Sequence, residues 1–285
     1  MDLDTRHLRA FVAVVDEGTF TDAAIVLKTS QASVSRAVQR LEAAVGDRLL
    51  SRSSRHVDIT PTGERAVVHA RHILATLAQL EKAAAPSNED LLVGYAWAAL
   101  GGHTIAVQRA WEEKQHGDLV FVQSNTPTAG LLEGRCEISV VRRVVADPRL
   151  ESALLGTERR YAVLAADHPL AARVTVGLAD FDSLTVAVDV ETGTTSEELW
   201  HSAARPAGFR MTRGVDEWLT LIASGRAVGI SSEATAAQHP RPGVAFRLVE
   251  DAPAISVRLA WWKDNPPRPL DPLVEICRAA YTSGD

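Results

Sequence analysis

Basic side chains gathered between residues 28 and 72 are the groups in this sequence best suited to chemistry with a polyanion. The window holds 8 Lys and Arg against 4 Asp and Glu, a balance of +4, although the whole chain carries −6. The basic residues are Lys28, Arg36, Arg40, Arg48, Arg52, Arg55, Arg65 and Arg71. A local positive patch on an acidic chain fits contact with DNA phosphates. It also fits the solvated face of an ordinary helical domain, so charge alone leaves both interpretations open.

Motifs of catalysis or cofactor binding are not found in the sequence. It contains no G-x-S-x-G, G-x-x-x-x-G-K-[ST], G-x-G-x-x-G, H-E-x-x-H or C-x-x-C pattern. His69 and His72 have a spacing that could suit a metal on a helix, but without evident Cys or carboxylate partners a solvated helix face is favoured. Cys136 and Cys277 alone make neither a disulfide framework nor a zinc site. We therefore predict that the protein is not an enzyme and has no metal or cofactor.

Length and composition predict a two-domain globular protein. The chain has 285 residues, of which 46% are hydrophobic and 23% charged, and about 150 residues per domain is a usual prior. No apolar run approaches the roughly 18 residues that a membrane helix needs. The acidic start Met1–Thr5 does not resemble a signal peptide. We expect no membrane partner and a reducing, cytoplasmic location.

Three short helices are predicted before residue 46. Gly18 is placed to end the first helix, Thr19 and Ser30 can cap the second and third, and Gly46 can end the third. The third helix is two-sided, with Val34, Val38, Leu41 and Val45 on one face and Ala32, Arg36, Gln39, Arg40 and Ala43 on the other.

A small hairpin and a long helix follow. The Ser- and Arg-rich stretch between Leu49 and Pro61 predicts a hairpin with a basic tip at Arg52 and Arg55. From Pro61 to about Ala85, apolar residues recur at coiled-coil spacing, which favours pairing with a second chain. These residues are Ala66, Ala70, Ile73, Leu77, Leu80 and Ala84.

These parts are those of a winged helix-turn-helix followed by a linker helix. The third helix would enter the major groove, where Gln31 and Arg36 can reach base edges. Arg52 and Arg55 could contact phosphate or the minor groove from the hairpin. We predict the DNA-binding domain over residues 1–60, the linker and dimerisation helix over 61–87, and a second domain over 88–285.

The second domain alternates strands and helices, which predicts α/β sheets. Predicted strands are 91–97, 119–123, 138–141, 161–165, 184–188, 227–230 and 255–262, and predicted helices are 100–115, 128–133, 196–204, 215–224 and 270–281. The Pro-rich residues 240–272 are expected to form loops around one crossing strand.

Residues 8–63 closely resemble the DNA-binding domain of LysR-type transcriptional regulators. The matching residues are Leu8, Phe11, Val15, Gly18, Thr19, Phe20, Thr21, Ala23, Ala24, Leu27, Ser30, Gln31, Val34, Ser35, Arg36, Val38, Leu41, Glu42, Gly46, Leu49, Arg52, Thr60 and Gly63. The resemblance implies that Gln31, Ser33, Arg36 and Arg52 contact the operator. With the rest of the basic face, the predicted DNA-contacting set is Gln31, Ser33, Ser35, Arg36, Arg40, Arg52 and Arg55. Ala32, Ala37 and Leu50 depart from the family pattern, so base preference stays open.

The resemblance also implies the layout of the second domain. It would hold two α/β subdomains like those of type 2 periplasmic binding proteins, hinged by two crossing strands, with a small-molecule effector between them. We expect subdomain I at about 88–158 and 248–285, and subdomain II at about 159–247. Partners implied are a double-stranded DNA operator, an effector, and a homodimer that assembles to a homotetramer and bends DNA.

Strand ends and helix starts are the expected effector contacts. The predicted residues are Ala96, Trp97, Ala98, Asn125, Thr126, Arg142, Gly193, Thr194 and Thr195. Relatives often carry a hydroxyl after the first strand, whereas Tyr95–Ala99 is apolar here and suggests an aromatic pocket. Arg142 could pair with an anionic effector, or simply be a surface arginine beside Arg143. The effector is thus expected to be anionic or aromatic.

Other interpretations remain for this domain. Thr195 and Glu198 have the spacing of a capping box, which is favoured over ligand contact. Trp97 is expected to line the pocket, and Trp111, Trp200 and Trp218 to lie in the core. The domain could also serve oligomerisation or protein contacts alone, with no effector, in a chain that still binds DNA.

Overall fold

The computed structural model describes residues 4–52, 57–84, 90–114, 117–200 and 205–282. The chain divides into two compact units. The first comprises residues 1–88 with 132–134, and the second comprises residues 89–131 and 135–285. Among the described helices, none combines the length and the apolar character needed to cross a bilayer.

Three helices open the first unit: α1 (Thr5–Glu17), α2 (Phe20–Val26) and α3 (Gln31–Val45). Their predicted ends are confirmed. Gly18 and Gly46 adopt the left-handed conformation after α1 and α3, which residues with a side chain rarely adopt. The Thr19 hydroxyl accepts from the Asp22 N–H at 3.0 Å, so a side chain satisfies one of the free amides at the start of α2.

One apolar core holds these helices together. Phe11 and Val14 of α1 are fully buried against Val34 and Val38 of α3, because apolar residues three and four apart share a helix face. Val45, expected on the same face, is 44% exposed. That expectation was wrong because the core ends at Leu41 and the last turn of α3 extends beyond it.

The hairpin after α3 is confirmed in its strands, β1 (Leu50–Arg52) and β2 (Val57–Ile59), which pair antiparallel with Leu50 opposite Ile59. The carboxylate of Glu42 accepts from the N–H groups of Leu49 and Leu50 at 2.9 and 3.2 Å and fixes the start of β1. The tip, with Arg55, lies outside the described residues, and only the backbone of Arg52 is described. The structure therefore shows the winged frame but not its predicted basic contacts.

The long helix is α4 (Pro61–Ala84). The two ends of the predicted apolar seam on α4 differ in burial. Ala70 is buried in the core of the first unit, whereas Ile73 is 46% and Leu80 65% exposed. The second half of the seam therefore presents apolar surface that its own unit does not cover.

A five-stranded sheet forms the first part of the second unit. In spatial order its strands are β4 (Leu119–Gln123), β3 (Leu91–Tyr95), β5 (Ile138–Val141), β13 (Ile255–Trp262) and β6 (Leu150–Glu158). Helices α5 (Thr104–Lys114) and α8 (Leu270–Thr282) cover it. The core includes Trp111 from α5, confirmed as fully buried.

A second sheet follows in the chain. Its strands in spatial order are β11 (Gly229–Ser232), β7 (Arg160–Ala165), β12 (Val244–Val249) and β8 (Thr175–Val176). A parallel pair, β9 (Thr185–Asp189) and β10 (Gly208–Thr212), adjoins it through a bridge between Val186 and Val228. Helices α6 (Val215–Ala223) and α7 (Glu233–Gln238) complete this part. Trp200 and Trp218 are buried here, as expected.

The chain crosses between the two sheets twice. It leaves the first sheet at the end of β6 and starts β7 at Arg160, and it returns between β12 and β13. Ser232, the last residue of β11, lies opposite Arg160, two residues after the end of β6. This strand-end region lies beside the cavity described below.

Several predicted elements were wrong. Residues 128–133 form turns rather than a helix, with Ala129 and Gly130 at positive φ. Within the predicted 196–204 helix, Glu197–Trp200 form one 3-10 turn, and residues 201–204 lie outside the described residues. Residues 240–272 contain two strands, β12 and β13, because the prolines lie outside the paired residues. Strands β6 and β10 and helix α7 were not predicted at all; β6 carries a Gly and mixed polar residues that obscure its alternation.

Candidate DNA-contacting surface and ligand cavity

A surface groove of about 600 Å³ runs along the exposed side of α3. It brings together Ser33, Arg36 and Arg40, three of the predicted DNA-contacting residues. Gln31 is exposed at the start of the helix, and Ser35 is half-buried. The hydrophobic face of α3 packs in the core of the first unit. The basic face is therefore free to contact a partner.

The first turn of α3 is ordered by serine hydroxyls. The Ser30 hydroxyl accepts from the Ser33 N–H at 3.2 Å and lies 2.8 Å from the Ser33 hydroxyl. The Arg36 guanidinium donates to that same Ser33 oxygen at 3.5 Å. The capping serines thus contact the Arg36 guanidinium itself, and Arg36 as a whole remains exposed.

Arg6 and Arg9 also line the groove, and sequence reasoning missed them. They lie on α1, three residues apart, outside the basic window that the sequence suggested. The exposed Arg6 forms an ion pair with the half-buried Asp4 carboxylate at 2.6 Å. Hydrogen bonds from Arg6 lower the pKa of Asp4 to about 2. Arg9 therefore adds the more available cation to the basic groove.

A cavity of about 40 Å³ lies between strand ends of the second unit. Predicted effector contacts that line it are Ala96, Trp97, Ala98, Thr126, Arg142, Gly193 and Thr194. One wall is the loop after β3, and the opposite wall is the turn after β9. Sequence reasoning thus found both principal walls, because each follows a strand and carries small or hydroxyl residues.

Asn125 and Thr195 are not part of this lining. Asn125 is exposed and packs beside Gly214. Thr195 is buried, and its hydroxyl donates to the Ile230 carbonyl at 2.7 Å. Thr195 therefore does not form the predicted capping box with Glu198, because its hydroxyl is hydrogen-bonded to Ile230 of β11.

Arg142 lies at the cavity wall but is not the surface arginine considered above. Its side chain is 10% exposed and forms a two-point ion pair with Glu158, whose side chain is 5% exposed. The Nε–Oε2 and Nη2–Oε1 distances are 2.9 and 2.8 Å. The remaining hydrogen bonds run to the carbonyls of Ala98 and Ala99 at 2.6 and 2.9 Å. Arg142 therefore holds the wall loop in place.

The charge of this pair is fixed by its surroundings. Burial alone would lower the pKa of Arg142, but attraction and hydrogen bonds from Glu158 outweigh burial, and the net shift is upward. Burial alone would raise the pKa of Glu158, and Arg142 outweighs it to give a net lowering. The Tyr281 hydroxyl also donates to Glu158 at 2.9 Å. Both groups are therefore ionised around neutral pH.

Trp97 sits at the junction of several elements. Its ring centroid lies 5.0 Å from that of Trp218, and its carbonyl is 2.8 Å from Nε2 of His239. The indole N–H is buried and has no hydrogen-bond partner among the described residues. Trp97 thus lines the cavity as expected, with an unused donor.

The lining residues outside the predicted contact set are Pro127, Ala129, Val140, Val141, Arg143, Thr192, Ser231, Ser232 and Thr235. Thr192 adjoins the predicted contacts Gly193 and Thr194 in the turn after β9. Ser231 and Ser232 end β11 and Thr235 starts α7, and they reach the cavity only because β11 pairs with β7. No local pattern indicates that pairing.

Comparison with known proteins gives a family match in each of the two units. Residues 5–64 match the family model described as "Bacterial regulatory helix-turn-helix protein, lysR family". Residues 106–282 match the model of the LysR substrate binding domain. Together these matches cover both units of the chain.

Individual relatives agree with the family match. The chain is 33% identical over 174 residues to the HTH-type transcriptional regulator BenM of Acinetobacter baylyi, which is 59% of this chain and 57% of that protein. It is 30% identical over 277 residues to the small neutral protease regulatory protein of Streptomyces coelicolor, covering 91% of this chain and 81% of the relative. The crystal structure of CbnR, a LysR family transcriptional regulator, shares the fold at TM-score 0.66 and 21% identity, covering 98% of this chain and 99% of CbnR.

Proposed function

We propose that this chain, which belongs to the LysR family of DNA-binding transcriptional regulators, binds a roughly palindromic operator as a paired chain and responds to a small-molecule effector. The observation that carries the proposal is the exposed basic face of α3, whose opposite face forms the core of its unit. A helix so placed can enter a major groove without disturbing its own fold. DNA-binding regulators act where the chromosome is, so we expect a cytoplasmic location.

Recognition of the DNA base edges is assigned to the exposed face of α3. We assign base contacts to Gln31 and Arg36, and contacts to the sugar–phosphate backbone to Ser33, Ser35 and Arg40. Arg and Gln side chains can form two-point hydrogen bonds to guanine and adenine edges. The predicted hairpin contacts, Arg52 and Arg55, belong to the same proposal and would anchor the wing.

Pairing of two chains would use α4. The exposed Ile73 and Leu80 in its second half are the surface that a second α4 would cover. Two paired chains would present α3 to successive major grooves. Assembly of such dimers to a homotetramer, with bending of the DNA, completes the proposed mode of action.

The cavity between the two sheets is the proposed effector site. Its walls come from both sheets, so a bound molecule would change how subdomain I (about 88–158 and 248–285) sits on subdomain II (about 159–247). A coupling of about 1–3 kcal/mol between effector and DNA is typical of such linkage. No catalytic step is part of the proposal.

DNA selection from genomic fragments tests the central claim. Full-length protein is mixed with fragments of its source genome and bulk competitor at moderate salt, and protected sequences are mapped by footprinting. We expect protection of two related half-sites about one helical turn, or a multiple of it, apart. Equal binding to all fragments would contradict sequence-specific regulation. Selective DNA binding that no metabolite in a screen alters would instead favour a second domain devoted to assembly.

A further inference from the structure

The charged side chains that line the cavity are already hydrogen-bonded to other groups of the protein. Among the described residues of the lining, only Arg142 and Arg143 are charged. Arg142 makes four hydrogen bonds, two of them to the Glu158 carboxylate. An anion at this wall would meet a neutral ion pair rather than a free cation.

Arg143 offers little more to a buried anion. Arg143 is exposed, and its Nη1 donates to the carbonyls of Val190 and Glu191 at 3.3 and 3.1 Å. An exposed cation is screened by water, so its attraction for an anion inside the cavity is weak. The interactions available in this cavity would therefore not offset the free energy needed to move a carboxylate out of water.

Three residues of the same lining carry buried hydrogen-bonding groups. The indole N–H of Trp97 and the hydroxyls of Thr192 and Thr194 are buried and have no partner among the described residues. The indole can only donate, and each hydroxyl can donate or accept. Buried polar groups in proteins are nearly always hydrogen-bonded. The indole donor and the two hydroxyls fit a ligand that carries at least one acceptor.

The donors come from both walls. Trp97 follows β3 of the first sheet, and Thr192 and Thr194 follow β9 beside the second. The carbonyl of Thr194 is itself held by Nη1 of Arg160 at 2.9 Å. A ligand that accepts from Trp97 and from the threonines would join the two walls, and its acceptor would satisfy groups otherwise left unpaired.

The geometry points to a small uncharged effector with a carbonyl, amide or hydroxyl acceptor, rather than a carboxylate, bound between Trp97 and Thr192–Thr194. This inference rests on the proposed function of the cavity as the effector site, and it replaces the expectation that Arg142 would pair with an anion. The cavity volume of about 40 Å³ is below the roughly 150 Å³ that holds a benzene ring in an apolar cavity. The first candidates are therefore small, and larger ones require the walls to separate.

Matched neutral and anionic compounds test the inference. Isothermal titration calorimetry on the full chain would use pairs that differ only in the acceptor group, from acetamide and acetate through to benzamide and benzoate. We expect the amide of the best pair to bind at least about tenfold more tightly than its carboxylate. Trp97→Phe keeps the ring but removes the donor, and Thr192→Val and Thr194→Val keep shape but remove the hydroxyl.

Each of these variants should weaken the amide by about three- to tenfold. Thr282→Val, at the exposed end of α8, is the matched control and should change nothing. Carboxylates that bind as tightly as their amides, a panel in which no compound binds, or unchanged affinity in all three cavity variants would each overturn the inference. Footprinting on the same preparations reports separately on the proposed function, because selective DNA binding can persist in all three outcomes.

Discussion

Arg142 and Glu158 form a two-point ion pair at 2.8 and 2.9 Å, with both side chains nine-tenths or more buried, at the wall of the proposed effector cavity. The pair joins the ends of β5 and β6, and through the Ala98 and Ala99 carbonyls it also holds the loop after β3. A residue expected to recognise an effector is thereby a positioning residue. Arg142 shapes the cavity wall, and its own charge is neutralised by Glu158.

Glu158→Ala should destabilise the protein by about 3–5 kcal/mol, because it leaves the Arg142 guanidinium buried without a counter-charge. Urea unfolding of the full chain measures the change. The control is Glu233→Ala, which removes the partner of Arg159 in an exposed pair of 60% and 40% exposure and should cost no more than about 1 kcal/mol. Similar losses in the two variants would contradict the structural importance of the buried pair.

Stability should depend on pH through Glu158. Its pKa is lowered from the ordinary value of 4.5, burial being outweighed by Arg142. The folded state therefore binds this proton less readily than the unfolded state, and the contribution is fully present above about pH 4.5. It is lost as the pH falls through the lowered folded value. The free energy of unfolding of the native chain should drop more steeply below pH 4.5 than that of Glu158→Gln; parallel profiles would count against this assignment.

Arg36→Ala should weaken operator binding by about 1–3 kcal/mol and relax base preference at one position of each half-site, if Arg36 reads a base edge. Competition binding against operator variants and random DNA at fixed salt measures both effects. Arg9→Ala, in the same groove, is the comparison for a phosphate contact and should weaken all sequences alike. An equal loss on operator and random DNA for Arg36→Ala would reassign that residue to the phosphates.

Gly63→Ala should destabilise the first unit by about 1–3 kcal/mol or more. A Cβ at residue 63 would collide with the Leu49 carbonyl oxygen, where α4 begins against β1. Thermal unfolding followed by circular dichroism measures the loss. Gly102→Ala, where an added Cβ meets nothing within 4 Å, should stay within about 0.5 kcal/mol. A tolerated Gly63→Ala would show that this contact can open without cost.

Leu80→Glu should dissociate the paired chain. Leu80 and Ile73 are exposed in the single chain, and a carboxylate inside a helix–helix seam would be buried without a partner. Sedimentation velocity should show a shift to monomer. Val174→Glu, at an apolar residue that is 88% exposed outside α4, should leave the assembly intact. If Leu80→Glu assembles like the native chain, the seam is not the interface.

The local signals in this sequence were strong and were borne out. Thr19 and Ser30 cap their helices and Gly18 and Gly46 end them, because a cap depends on residues no more than about four positions apart. The winged frame and the family follow from such signals, repeated over more than fifty residues. Strand β6 was not predicted, because its apolar residues do not alternate regularly.

Pairing between distant residues was decided only by the tertiary structure. Arg142 was visible as a charged residue at a strand end, but Glu158 joins it through the antiparallel pairings of β5 and β6 with β13, and Tyr281 arrives from α8, more than a hundred residues later. The sequence by itself determined the helices of the first unit, their caps and the position of the two cavity walls, because these depend on neighbouring residues. The neutralisation of Arg142 depends on which strand ends the sheet brings together. Sheet pairing is in turn decided by the burial of the whole core and not by any local pattern.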